Sequence, residues 1–526
     1  MFCRLHLPAV MAAALAIANP HGSFAFELAI DAKAPPSQAA AVPAQIDAAV
    51  AKLDELAAEI MRKSGIPGMS VAVVRDGKTV YAKGFGVRKA GESATVDADT
   101  VFQLASLSKP VGASVVAAQV GKGVVQWDTP IVKALPWFAL SDKAVTRMVT
   151  IGDLYAHRSG LQDHGGDALE YLGNTRADIL KQLRYLPLAP FRASYAYTNF
   201  GLTAAAEAVA VASGLDWATL SDRALYLPLG MNRTSSRFED FAHRDNHAVN
   251  HAMIDGKYQP RYQREPDEQS PAGGVSSSAN DMAKWMRMML AGGVHDGKTI
   301  VAKDALLPAL RPQAVSSPPS DVSERAGFYG YGMNVGVAPS GRVTLSHSGA
   351  FLLGAATSLT LIPSLNVGIV VLSNAAPTGA VETLCAEFAD LVQFGIVTRD
   401  WYTAYAGLFA NMEKPFGAMA GKTPPAKPKP FAAPELYKGT YANKYFGKAV
   451  IVHKAGTFTL TLGNKGQKSF PLRHWDGDTF VFDLDGEDAA PGSVSTLMFD
   501  RKRGKAKSLQ IEYFGEDLAK GVFRRE

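Results

Sequence analysis

Ser106 stands three residues before Lys109 in QLASLSKPVG (103–112), and no other serine of the chain has a lysine at that distance. A serine hydroxyl becomes an effective nucleophile when a neighbouring base takes its proton. On a helix, residues three apart share a face, which would set the Lys109 amine beside the Ser106 hydroxyl. A helix N-terminus favours negative charge developing at the serine. Pro110 fits such a first turn, where backbone donors lack helical partners. The pair alone does not separate a nucleophile from an ordinary helix start, because two fixed letters at one spacing arise by chance about once in a chain this long. A lysine at its ordinary pKa is protonated, so Lys109 needs desolvation, a nearby cation or a partner that accepts the proton instead.

Two further clusters supply such partners. Tyr197 and Asn199 lie in FRASYAYTNFGLTAAAEAV, just ahead of a helical run. A tyrosine between two cationic neighbours could share the proton with Lys109, and Asn199 could donate to a substrate carbonyl. His347, Gly349 and Ala350 lie in VTLSHSGAFLLG, on a strand edge. Glycine there lets a substrate backbone approach closely. The backbone amides of Ala350 and Ser106 could then hold the oxyanion of a tetrahedral intermediate, where losing one donor costs about two to three orders of magnitude in rate.

The elements that must position these residues follow from periodicity. Ile46, Val50, Leu53, Leu56 and Ile60 recur at helical spacing. MSVAVVRDGKTVYAKGFGV then reads as two strands joined by the Asp76-Gly77 turn. Helical patterns dominate from about Ser106 to Leu229, strands return at VTLSH, ATSLTLIP and NVGIVVLSN, and a long helix is expected from about Val381 to Met412. Strands at both ends of the region with helices between them predict an α+β fold: a sheet, a helical lobe and a cleft between the two. A Pro- and Lys-rich linker is expected over 413–433. Eight short alternating segments after it, over 434–526, predict a small antiparallel β-barrel.

The 526 residues, 47% hydrophobic and 20% charged, describe a multi-domain globular protein, and a net charge of +5 over that length does not argue for a nucleic-acid partner. Arg4 followed by LPAVMAAALAIA and the small residues of Ser23-Phe24-Ala25 reads as an export signal over 1–25, cleaved after Ala25. That apolar run is too short to span a bilayer, so no stable membrane span is expected after cleavage. An Ala- and Pro-rich leader over 26–44 precedes the catalytic region at 45–412. Cys3 lies inside the signal, and Cys385 sits at helical spacing among apolar residues and reads as a packing cysteine.

The order S-x-x-K, Y-x-N, H-x-G resembles the serine β-lactamase and penicillin-binding-protein superfamily. It is nearest to the branch of class C β-lactamases, D-aminopeptidases and related esterases. IPGMSVAVVRDGKTVYAKGFGV, IGDLYAHRSGL, SPAGGVSSSANDMAKWM, YGYGMNVG and LTLIPSLNVGIVVLSN extend the resemblance over roughly 45–410, and the tail resembles the lipocalin-like domain some members carry. The resemblance implies that Ser106 is the nucleophile, that Lys109 and Tyr197 transfer its proton, that Asn199 positions substrate and that His347 lines the strand. It implies a serine hydrolase acting through an acyl-enzyme on a small-molecule or peptide substrate, with no metal or organic cofactor, and the export signal makes it a periplasmic or secreted one.

One departure narrows the substrate. β-Lactamases and penicillin-binding proteins carry a lysine where this chain has His347. A histidine, with an ordinary pKa of about 6.5, is mostly neutral at pH 7 and does not offer a fixed positive charge to a substrate carboxylate. Esters, amides and D-amino-acid derivatives are favoured. A β-lactamase or D-alanyl carboxypeptidase is the alternative, and a penicillin-recognising sensor or a non-catalytic binding protein is the alternative outside turnover enzymes. His157 reads as a hydrogen-bonded support. His243, His247 and His251 have no carboxylate spaced to complete a metal site. RKRGKAKS, from Arg501, reads as a solvated hairpin turn.

Overall fold

The computed structural model describes residues 43–463, 466, 468–487, 489–515 and 521–526. The export signal, its cleavage after Ala25 and the leader as far as residue 42 lie outside the described residues.

Helices α1 (Pro43–Ala51) and α2 (Leu53–Ser64) replace the single amphipathic helix expected there. Strands β1 (Gly68–Arg75) and β2 (Lys78–Gly86) follow as the expected hairpin. The helical lobe contains α3 (Ser108–Gly121), α4 (Asp167–Tyr171) and α5 (Asn199–Ser213). The sheet resumes with β3 (Ala314–Ser317), β4 (Gly327–Tyr329), β5 (Asn334–Val337), β6 (Val343–Phe351), β7 (Ala355–Ile362) and β8 (Val367–Ser373). Its eight strands are ordered β2-β1-β8-β7-β6-β5-β4-β3, every neighbouring pair antiparallel. The long helix expected from Val381 to Met412 is two, α6 (Ala380–Phe394) and α7 (Trp401–Phe409). Gly395, at φ +77°, ends the first in the left-handed conformation that glycine adopts at no steric cost.

Near-continuous apolar runs form the central strands because both faces are covered. Val71, Val73, Ile369 and Val371 point to one face and pack on Leu53, Ala57, Leu384 and Phe388 of α2 and α6. Ala72, Val74, Val370 and Leu372 point to the other and join the core of the helical lobe. Helix α3 is buried almost all round, as expected of a helix at the centre of such a lobe. On β6, period-two alternation turns Leu345, His347, Gly349 and Phe351 inward. This face looks onto the Ala105–Leu107 turn that leads into α3.

The C-terminal region forms the expected closed barrel of eight antiparallel strands, from Gly439–Asn443 to Val522–Arg525. Its interior is filled with side chains: Tyr437, Phe458, Phe480 and Phe499 make edge-to-face contacts with ring centroids 4.9–5.9 Å apart. The segment over 413–433 is strapped to the barrel and does not hang free. Phe416 N–H donates to Ser493 Oγ (2.9 Å), Ala418 N–H to Glu512 (2.8 Å) and Lys429 N–H to Asp476 (2.6 Å). RKRGKAKS is the loop between two barrel strands, as expected.

Candidate active site

Ser106 sits in a short 3-10 turn, Ala105–Leu107, that leads directly into α3. Ala105 takes φ +47°, a left-handed conformation unusual outside glycine and typical of sites where a side chain must be held at a sharp turn. Ser108 Oγ accepts from Val275 N–H (2.9 Å) and ties the first turn of α3 to the neighbouring chain segment. Lys109 lies on the same face as Ser106, and its Nζ donates to Ser106 Oγ at 3.0 Å.

The Lys109 amine is wholly buried. Its other contacts are Asn199 Oδ1 (2.8 Å) and the Ala272 carbonyl (3.0 Å), both neutral acceptors. Burial therefore brings its pKa down to about 7, and the Asp167 carboxylate opposes the fall. Near neutrality this amine is available as a base.

Tyr197 is within reach of the same serine: its hydroxyl hydrogen-bonds Ser106, and its ring lies under Lys109 Nζ at 4.4 Å. Burial raises the phenol's pKa. The tyrosine has one cationic neighbour rather than the two expected, because burial keeps both nearby imidazoles neutral. His157 is held well below its ordinary value by burial and by Lys109, and His347 falls to about 3 for the same two reasons.

His157 organises the tyrosine loop. Its Nδ1 accepts from Thr198 N–H (3.1 Å), so the proton is on Nε2, and its carbonyl accepts from Ala196 N–H. Its ring packs 4.6 Å from Tyr197 and 5.1 Å from Tyr329. This is the supporting role read from the sequence. Asn199 opens α5 and links two shells: Oδ1 accepts from Lys109, and Nδ2 donates to Asp167 Oδ2 (2.9 Å), which also contacts His164 Nδ1 (2.8 Å).

His347 on β6 donates from Nδ1 to the Ser348 carbonyl (2.7 Å), so Nε2 accepts from the Tyr329 hydroxyl (2.8 Å). Gly349 has a packing role within the chain itself. A Cβ there would lie 2.3 Å from the Leu104 carbonyl and 2.8 Å from Ser106 N, so its absence admits the serine's own loop against β6. That approach sets the amide of Ser106 beside the strand carrying Ala350. Six of the expected residues, Ser106, Lys109, Tyr197, Asn199, His347 and Gly349, thus meet where α3, α5 and β6 converge, and Ala350 follows Gly349 on β6.

Sequence reasoning did not find Asp167, His164 or Tyr329. Asp167 and His164 sit in QDHGGDALE, where Asp beside glycines reads as a turn, and Tyr329 belongs to a three-residue strand. The three histidines spaced by four form no part of this site. His243 and His247 bond backbone carbonyls of Glu239 and Arg244, while His251 bridges the Asn374 carbonyl and Ala90 N–H. Among the described residues no helix is long and apolar enough to cross a membrane.

Comparison with known proteins agrees with this geometry. A domain of unknown function, DUF3471, matches residues 423–522. Unguisins hydrolase ungD of Aspergillus violaceofuscus is 27% identical over 420 residues, covering 74% of this chain and 73% of that protein. The D-alanyl-D-alanine-carboxypeptidase/endopeptidase AmpH of Escherichia coli is 25% identical over 355 residues, 65% of this chain and 88% of that protein. The fold is shared with the octameric penicillin-binding protein homologue from Pyrococcus abyssi, with a TM-score of 0.58 at 20% identity over 88% of this chain and 98% of that one. With the Beta-lactamase family model matching residues 53–394, the chain belongs to the beta-lactamase family of serine hydrolases.

Proposed function

We propose that this chain is an exported hydrolase that cleaves an ester, an amide or a D-amino-acid-containing peptide through an acyl-enzyme on Ser106. Ser106 Oγ attacks the carbonyl carbon as its proton passes to Lys109 Nζ, with the Tyr197 hydroxyl bonded to the same oxygen. The amides of Ser106 and Ala350 hold the oxyanion, and Asn199 orients the substrate. The C–O or C–N bond then breaks, and the leaving group takes the proton. Water, deprotonated by the same pair, releases the acyl group and restores the serine. The observation that carries this reading is the 3.0 Å contact between Ser106 Oγ and a buried lysine amine that, among the described residues, touches no carboxylate.

A neutral His347, bonded to Tyr329, supports substrates without a carboxylate at that position, and so disfavours a β-lactamase or D-alanyl carboxypeptidase. The relatives' printed activities, a hydrolase of unguisins and a carboxypeptidase/endopeptidase, support the wider acyl-transfer class. The organisation we propose is an export signal over 1–25, a leader over 26–44, a hydrolase unit over 45–412, a linker over 413–433 and a barrel over 434–526, in a periplasmic or secreted protein. The test is multiple-turnover hydrolysis of a short aryl ester, a D-alanine amide and a chromogenic cephalosporin, with and without Ser106→Ala. Ester or amide turnover lost in the variant is expected. Turnover of the cephalosporin alone would refute the reading of His347, and a single covalent label with no turnover would favour a sensor.

A further inference from the structure

A cavity of about 690 Å³ opens between the sheet and the barrel, outside the Ser106 site. Leu352 and Leu353, the residues immediately after β6, line it together with Met253. The barrel supplies the facing wall with Leu484, Ala490 and Pro491. Asp255, Arg261 and Glu413 also line it, so it offers polar groups as well as apolar surface.

The barrel is fixed to both sides of the cleft. Glu487 accepts from the amides of Leu352 (2.6 Å) and Leu353 (3.4 Å), two and three residues beyond Ala350. Across the cleft, the Tyr171 hydroxyl donates to Asp485 (3.1 Å), and its ring packs against Phe470 and Tyr513 of the barrel. Tyr171 ends α4, the helix whose first residue, Asp167, holds Asn199. One barrel turn thus touches the far end of β6, and its neighbours grip the far end of α4.

Resting on the acyl-enzyme reading above, we infer that this cavity is a substrate subsite completed by the barrel, and that it takes the distal segment of a peptide substrate with apolar side chains. A chain laid along β6 past Ala350 runs out beside Leu352, where the strand ends and the cavity begins. A site of this size suits two or three residues. Mixed apolar and polar walls suit side chains together with peptide groups.

The experiment uses the full chain with three probes: acetylglycine p-nitrophenyl ester, its extension Ac-Leu-Leu-Gly p-nitrophenyl ester, and the depsipeptide acetylglycyl-O-lactyl-Leu-Leu amide. Met253→Trp and Pro491→Trp fill the cavity from opposite walls. The expected result is a drop of at least tenfold in the ratio of kcat/KM for one extended probe to that for the short probe, in both variants. The short probe reports folding. A ratio within twofold of wild type in both variants overturns the inference. Calorimetry in the Ser106→Ala background separates the two readings. Met253→Trp should weaken binding of that extended probe at least tenfold, and unchanged binding overturns the subsite. Short-ester hydrolysis no faster in wild type than in Ser106→Ala would defeat the hydrolase reading alone.

Discussion

Two charged groups in the helical lobe are buried to the same degree and meet opposite fates. The Asp153 side chain has no exposed surface, yet Arg158 donates to Oδ1 (2.8 Å), Arg192 to Oδ2 (2.8 Å), and the Thr150 hydroxyl to Oδ2 (2.9 Å). Burial alone would raise this carboxyl's pKa, but Arg192, Arg158 and Thr150 together hold it below the ordinary value. Lys109 is buried as deeply and, among the described residues, donates to neutral oxygens alone, so its pKa falls towards 7. Burial fixes a charge when opposite charges surround it and loosens its proton when they do not. By this criterion Asp153 is architecture, and Lys109 has the loosened proton that the proposed chemistry needs.

The largest expected effect that would break the comparison is on turnover. Ser106→Ala should lower kcat/KM by roughly 10⁴–10⁶ without lowering the melting temperature. Lys109→Met should be as inactive and should melt higher, since it removes the desolvation of an unpaired amine. Asp153→Ala should do the reverse. It leaves two arginines without their carboxylate and should cost about 3–5 kcal/mol in chemical denaturation, with kcat per folded molecule retained. Its contribution is present above the carboxyl's unfolded pKa and should fade as pH falls through the lower folded value.

A finer test moves the lysine. The acid limb of kcat/KM should rise with pH through about 7 as Lys109 loses its proton. Asp167 opposes that loss, so Asp167→Asn, which keeps an acceptor for Asn199, should shift the limb to lower pH. A limb that stayed in place would assign it to another group. The smallest expected effect is Tyr329→Phe, which removes one hydrogen bond to His347 and should cost about 1 kcal/mol in stability. It should leave the limb unmoved, because His347 titrates near 3.

Much of this site was legible because its residues sit on strongly patterned elements. Ser106 and Lys109 share a helix face by spacing alone, and His347 and Gly349 share a strand face by alternation. The barrel was legible for the same reason, each strand carrying its own period. What escaped the sequence depends on contacts between distant segments. Asp167 becomes part of the site only when α4 meets α5, and Glu487 reaches Leu352 only when the barrel docks. Gly395 was legible as a glycine but not as a break, because apolar spacing continues on either side of it.

The pairing of β1 with β8 sets the order in which this protein can be assembled. Met69 lies opposite Ser373, so the first strand of the sheet waits for nearly the whole catalytic region before its second partner exists. Closing a loop of that length carries an entropic cost that local hairpins avoid, and topologies rich in such contacts fold slowly. Until β8 arrives, the β1–β2 hairpin presents an apolar strand with one unpaired edge, the surface on which aggregation begins. Newly made chains should therefore depend on being shielded until residue 373 has emerged, and pulse-labelled hydrogen exchange should find the β1 amides that face β8 protected only together with β8.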